Sequence, residues 1–173
     1  MFVIIESVFR LSGEKPYNPV VAIDRISPKN PIVVDTLLGF SLLPGTYTFH
    51  YKNGYSFTAS HNKFGERVTS LNNKRTNLPT ISIYGDSNFY GFGLEDHQSW
   101  PYLLQQKTES IQVLNHSVFG HSLYLNFLKY KQTIEKGEAP IAAVFLIASY
   151  DFGRQTMNAQ ARKNFLVNQK IAN

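Results

Sequence analysis

The residues best suited to chemistry lie where Thr80-Ile81-Ser82-Ile83-Tyr84 gives way to Gly85-Asp86-Ser87. Ile81, Ile83 and Tyr84 supply the β-branched and aromatic side chains of a short buried strand, and Gly85 breaks it where a tight turn is needed. Ser87 then emerges beyond the carboxyl end of that strand, which is where open α/β sheets bind their ligands, with its hydroxyl exposed as a nucleophile's must be. Asp86 beside it reads as a turn former. Two further turns follow later strands: Asn115-His116-Ser117-Val118-Phe119-Gly120 and Ser149-Tyr150-Asp151. Adjacent parallel strands would gather all three turns at one end of a sheet.

The elements between these turns alternate. Ser99-Trp100-Pro101 opens a helix in which Ser99 is the cap, Pro101 suits the first turn, and Trp100, Leu103 and Leu104 share a face; it ends near Lys107 or Ser110. Ile111 to Leu114 is a second strand. A second helix carries an apolar stripe of Tyr124, Phe127, Leu128 and Ile134 and is stopped by Gly137 and Pro140. Ile141 to Ala148 is then an unbroken apolar run, the pattern of a parallel strand buried on both faces. Strand, helix, strand, helix, strand makes two right-handed β-α-β units. Beyond Arg154, Met157, Ala161, Phe165, Leu166 and Ile171 are spaced for a final helix.

Upstream the pattern is all β. Thr46 to Tyr51 and Tyr55 to Thr58 alternate aromatic with polar residues around Asn53-Gly54, which predicts a hairpin with a two-residue type I′ turn and an aromatic face in the core. Pro16, Pro19, Pro28 and Pro31 make the chain before it irregular, with one edge strand. The polar stretches Asn62 to Arg67 and Leu71 to Asn77 mark a boundary near residue 76. A β-rich region, 1–76, is therefore expected before an α/β domain, 77–173.

Composition excludes several classes. Hydrophobic residues make up 43% and charged residues 17%, so the chain is not of the disordered kind. The net charge is +5, yet Lys and Arg are scattered, with runs no longer than pairs such as Lys74-Arg75, and no nucleic-acid partner is expected. There is no Cys, and His50, His61, His97, His116 and His121 form no His-x-x-x-His spacing, so neither a disulfide nor a metal is expected. Gly91-Phe92-Gly93 lacks the third glycine of a dinucleotide fingerprint, and no cofactor is expected. The apolar start breaks at Glu6, too early for a signal peptide or a membrane span; Phe2, Ile5 and Phe9 instead suit a short helix covering the core. The default compartment is the cytoplasm, or outside it if a segment precedes Met1.

In these blocks the sequence resembles the SGNH/GDSL hydrolase family. The likeness runs through Gly85-Asp86-Ser87 with Gly91 and Gly93, Leu94-Glu95-Asp96, Trp100-Pro101-Tyr102-Leu103-Leu104 and Asn115 to Gly120, over residues 79 to 152. Asp35 to Phe40, Pro44-Gly45 and Asn62 to Arg67 resemble the segment before the hydrolase domain in some bacterial members. The resemblance implies a flavodoxin-like three-layer parallel sheet, incomplete here at about three strands, behind a small β-rich region. It implies an ester hydrolase acting on a small-molecule ester through an acyl-enzyme, with Ser87 as nucleophile and the backbone N–H groups of Ser87 and Gly120 in the oxyanion hole. Asp86 and Asn115 would support them.

Two departures stand against that pattern. The family's Gly-x-Asn-Asp reads Ala148-Ser149-Tyr150-Asp151 here, so Tyr150 replaces the oxyanion Asn, with Asp151 after it. The family's Asp-x-x-His has no counterpart, because no histidine follows His121. The chain then lacks its last segment, borrows a base from His116 or His121, or is a non-catalytic relative whose crevice binds an acyl or carbohydrate ligand. A sheet edge left exposed after the third strand implies self-association.

Overall fold

The computed structural model describes residues 23–71 and 77–147. The helices expected around Phe2 to Phe9 and beyond Arg154, the Lys74-Arg75 pair and the boundary at residue 76 lie outside the described residues.

The β-rich part is built on the expected hairpin. Strand β4 (Gly45–Tyr51) pairs antiparallel with β5 (Ser56–His61), with Phe49 opposite Phe57, and β1 (Ile23–Ser27) adds to the other edge of β4. Period two sends Tyr47, Phe49, Phe57 and Ala59 to one buried face, where the Phe49 and Phe57 rings stack at 4.7 Å. The turn differs from the expected type I′. Tyr51 faces Tyr55, leaving Lys52, Asn53 and Gly54 in a three-residue loop closed by Gly54 N–H to the Tyr51 carbonyl at 3.0 Å, with Gly54 left-handed at φ 85°. Asn53 instead uses its side chain, accepting from Tyr55 N–H at 3.0 Å.

A second hairpin, β2 (Ile32–Asp35) with β3 (Gly39–Leu42), was not read from the sequence. Its turn is held by Asp35 Oδ1, which accepts from the N–H groups of Leu37 and Leu38, each at 2.9 Å.

The α/β part is a mixed layer with a three-stranded parallel sheet in the order β7-β6-β8, where β6 is Thr80–Tyr84, β7 is Gln112–Asn115 and β8 is Ala142–Phe145. The first strand in sequence is therefore the central one. Helix α1 (Ser87–Tyr90) follows β6, α2 (Trp100–Gln106) precedes β7, and α3 (Leu123–Glu135) links β7 to β8. Ser99 precedes α2, but its hydroxyl donates to the Asp96 carbonyl at 2.9 Å instead of capping the helix. The face expected from Trp100, Leu103 and Leu104 is not the inner one: Pro101 and Tyr102 are buried and Leu103 is exposed. Gln105 locks α2 to β7, accepting from Val113 N–H at 2.7 Å.

The stripe expected on α3 also faces outward. Asn126 and Thr133 are buried, and Tyr130 on the same side meets the Tyr84 and Phe145 rings edge-on, each at 5.6 Å, while Tyr124, Phe127 and Ile134 are exposed. The two sets centre about 100° apart around the helix, so turning Asn126, Tyr130 and Thr133 inward leaves Tyr124, Phe127 and Ile134 on the flank that faces solvent. Gly137 ends α3 as expected, at φ 78°, with N–H bonds from Gly137 to Ile134 and from Glu138 to Thr133. The strand expected to be buried on both faces has Ile141, Val144 and Ile147 exposed; β8 pairs with β6 alone among the described strands.

The two parts share one core. Phe40, Leu42, Tyr47, Phe49, Phe57 and Ala59 cluster with Tyr90 and Val118, and Phe92 and Phe119 pack against them. Arg67 joins the sheets, bridging antiparallel to His61 on one side and to Asn115 on the other. Among the described residues, no helix is long and apolar enough to cross a membrane.

Candidate active site

Ser87 stands one residue beyond a fully enclosed turn. Gly85 is buried, and a Cβ there would lie 2.4 Å from Phe89 Cβ, so the turn exists because glycine has no side chain. Asp86 is 1% exposed and caps α1, accepting from Asn88 N–H at 2.8 Å. Ser87 is the first helical residue and is half-buried. Its carbonyl accepts from Gly91 N–H at 3.0 Å and Phe92 N–H at 2.8 Å, and Gly91 leaves the helix in the left-handed region at φ 81°.

The turn after β7 runs alongside this one. His116 N–H donates to the Ile83 carbonyl at 2.9 Å and Val118 N–H to the Gly85 carbonyl at 3.1 Å, extending the parallel pairing past the strand ends. Asn115, buried, ties the two turns: its Nδ2 donates to the Phe89 carbonyl at 3.2 Å and its Oδ1 accepts from Ser117 N–H at 3.1 Å. His121 N–H to the Val118 carbonyl, 3.1 Å, closes a four-residue turn with Gly120 in third place at φ 87°, the position that demands a left-handed residue in a type II turn. Gly120 is exposed. The structure thus brings Asp86, Ser87, Asn115 and the Gly120 turn together beyond β6 and β7.

The two candidate bases are engaged elsewhere. His116 is 2% exposed, with Nδ1 2.9 Å from Glu66 Oε1 and Nε2 3.2 Å from Ser82 Oγ, and its ring lies flat on Tyr84 at 4.8 Å. His121 is fully buried and donates from Nε2 to the Phe40 carbonyl at 3.0 Å; burial pushes its pKa down to about 3. Tyr150 and Asp151 lie outside the described residues. Among the described residues, no group of three or more His, Cys, Asp or Glu side chains is arranged to hold a metal ion.

Sequence reading missed Glu66, Arg67 and Ser82, taking the first two for part of a polar connection. Asn62 folds that connection into a loop, its Oδ1 accepting from Phe64 N–H at 2.9 Å and Glu66 N–H at 3.1 Å. Glu66 is left 5% and Arg67 1% exposed. The Arg67 guanidinium donates from Nη1 to the Tyr90 carbonyl at 2.8 Å and the Gly91 carbonyl at 2.5 Å, from Nη2 to the Leu94 carbonyl at 2.5 Å, and from Nε to Asp96 Oδ1 at 3.2 Å. It also lies over the Tyr90 ring at 4.8 Å. The one signal available was the Asn-x-x-Gly spacing from Asn62 to Gly65, a loop former directly before the charged pair.

No family model matches the chain, and no curated protein does. Among solved structures, it is similar to AlinE4, described as an SGNH-hydrolase family esterase, at 24% identity and a TM-score of 0.40, over 53% of this chain and 51% of that one. It is also similar to TesA at 25% identity and a TM-score of 0.40, over 54% and 53%. The alignment spans about half the length of each of these two proteins.

Proposed function

We propose that the chain is a serine hydrolase of the SGNH/GDSL type, with a flavodoxin-like sheet and Ser87 as its nucleophile. The observation that supports it is the pairing of two turns: Ser87 follows the central strand directly, and the turn ending in Gly120 is hydrogen-bonded along it through Ile83 and Gly85. A sheet whose first strand lies between the second and third opens a crevice at the carboxyl end of that first strand. In this reading, Ser87 Oγ attacks the carbonyl carbon of a small-molecule ester and gives its proton to a base. The N–H groups of Ser87 and Gly120 hold the oxyanion, the alcohol leaves as its C–O bond breaks, and water releases the acyl group. Asp86 shapes the nucleophile's turn, and Asn115 holds the second turn against it.

The test is labelling of the purified chain with a fluorophosphonate, which reacts only with an activated serine. Labelling that disappears in Ser87→Ala supports the reading, and labelling that persists in that variant removes Ser87 from it.

A second reading has its own observation. Both ring nitrogens of His116 are engaged, by Ser82 and Glu66, and His121 is fully buried on the Phe40 carbonyl with its pKa pushed down to about 3, so neither ring is a ready base for Ser87's proton. This supports a non-catalytic relative whose crevice holds an acyl or carbohydrate ligand. Saturable binding of an ester or acetylated sugar by a folded chain that neither labels nor hydrolyses it would select this reading.

A further inference from the structure

We infer that Glu66 and Arg67 are positioning residues that together clamp the two turns carrying Ser87 and Gly120. This rests on the reading of those two residues as nucleophile and oxyanion donor. The two side chains are adjacent in sequence and go to different turns. Arg67 holds the chain behind Ser87: the carbonyls of Tyr90, Gly91 and Leu94 all accept from its guanidinium, and the N–H groups of Gly91 and Phe92 in turn bond the Ser87 carbonyl. Glu66 holds the turn before Gly120, its Oε1 2.9 Å from His116 Nδ1, while its Oε2 accepts from Asn62 Nδ2 at 2.7 Å.

The geometry leaves little slack. Arg67 is wholly buried, and a planar fork with several donors engaged at once fixes its acceptors in direction as well as distance. A Cβ on Gly91 would come within 3.0 Å of Arg67 Nη1 and 2.9 Å of Ser99 Cβ, so the guanidinium fills the space against the backbone. Asp96, which pairs with Arg67, also accepts from Ser60 N–H at 3.0 Å, anchoring the clamp to β5. Arg67's own backbone bridges to Asn115, the first residue of the second turn. Gly65 has no room for a side chain either, because a Cβ would lie 2.0 Å from the Leu42 carbonyl oxygen, so the loop presenting both residues is itself fixed.

The test follows amide hydrogen exchange and fluorophosphonate labelling side by side in Arg67→Lys and Glu66→Gln, with Ser87→Ala as the labelling control. Arg67→Lys keeps the charge and loses the fork; it is expected to lose protection at the Gly91 and Phe92 amides while the β4–β5 ladder stays protected. Glu66→Gln is expected to do the same at Ser117 and Val118. Labelling should slow by on the order of 10²-fold in Arg67→Lys, and on an ester that is turned over kcat should fall with KM unchanged. Local exchange and labelling both at wild-type values in these variants would overturn the clamp, as would a loss of protection spread evenly over the β4–β5 ladder in both. If Arg67→Lys unfolds, Glu66→Gln decides the matter by the same two outcomes. If the wild-type chain does not label, or Ser87→Ala labels equally fast, the reading of Ser87 fails and the exchange pattern alone judges the clamp.

Discussion

His121 donates its Nε2–H at 3.0 Å to the carbonyl of Phe40, a residue 81 positions away in sequence. A carbonyl has no proton to give, so the tautomer is fixed and Nδ1 carries the lone pair, buried without a hydrogen-bond partner among the described residues. The ring is therefore held neutral. His61 is in the same condition: its Nδ1 lies 2.9 Å from the Leu43 carbonyl and its Nε2 2.7 Å from the Tyr90 hydroxyl, and burial lowers its pKa to about 4.

Acid should loosen this protein well above the carboxylate range. The unfolded chain protonates both histidines near 6.5, whereas the folded chain holds them neutral down to about 4 and about 3, so their stabilisation is present above pH 6.5 and lost as pH falls. Each group contributes about 1.4 kcal/mol per pH unit to that loss. Melting temperature measured from pH 7.5 to 5 should drop steeply below 6.5, and less steeply in His121→Gln. A flat profile would contradict the burial of both rings.

Gly85→Ala should destabilise the fold by about 1–3 kcal/mol, the usual cost of overpacking. Its Cβ collides with Phe89, the residue whose carbonyl Asn115 grips. The double variant Gly85→Ala/Phe89→Gly, which removes the Cβ that is struck, should recover part of the loss relative to the sum of the single changes. Strict additivity in urea melts would mean the turn has another place for the methyl group.

Gly120→Val should cost about 1–3 kcal/mol from backbone strain alone, because a β-branched residue is forced to φ 87°. On the proposed chemistry, it should also slow fluorophosphonate labelling at least tenfold by turning the N–H away from the oxyanion. Labelling at the wild-type rate would separate Gly120 from the reacting atoms.

Phe49→Ala should lower the stability of both halves together. The Phe49 ring is fully buried, stacked on Phe57 and edge-on to Phe92 at 5.3 Å and Phe119 at 6.0 Å, so the cavity opens between the hairpin and the two site turns. A loss of about 3–5 kcal/mol is expected. Tyrosine fluorescence and far-ultraviolet dichroism should follow one coincident transition in wild type and variant alike. Two separate transitions would restore independence to the region before residue 76.

The β6 strand, the aromatic hairpin and the order of β7, α3 and β8 were legible because β-branched periodicity and the stops at Gly54, Gly85 and Gly137 all act locally. The turn around Gly54 was misread by one residue, since the loop holds Lys52, Asn53 and Gly54 and Asn53 braces it through its side chain. The inward face of α3 was hidden because its buried positions are Asn126 and Thr133, polar residues that the apolar stripe outvotes. At the site, Ser87 and the Gly120 turn could be read from strand ends. Glu66 and Arg67 could not: charge normally means solvent, and their burial depends on carbonyls and a ring supplied by segments tens of residues away.

The bridge that Arg67 makes between His61 and Asn115 bears on how this protein could be dissected or recombined. A cut in the polar stretch before β6 looks harmless by composition and would keep every residue from Ser87 to Gly120. It would also strip away the guanidinium, the carboxylate and the aromatic wall, baring Tyr90, Val118 and Phe119 to water. The β-rich portion is therefore not an exchangeable module: a graft of the sheet onto another partner would have to carry residues 62–67 and the face of Phe49 with it.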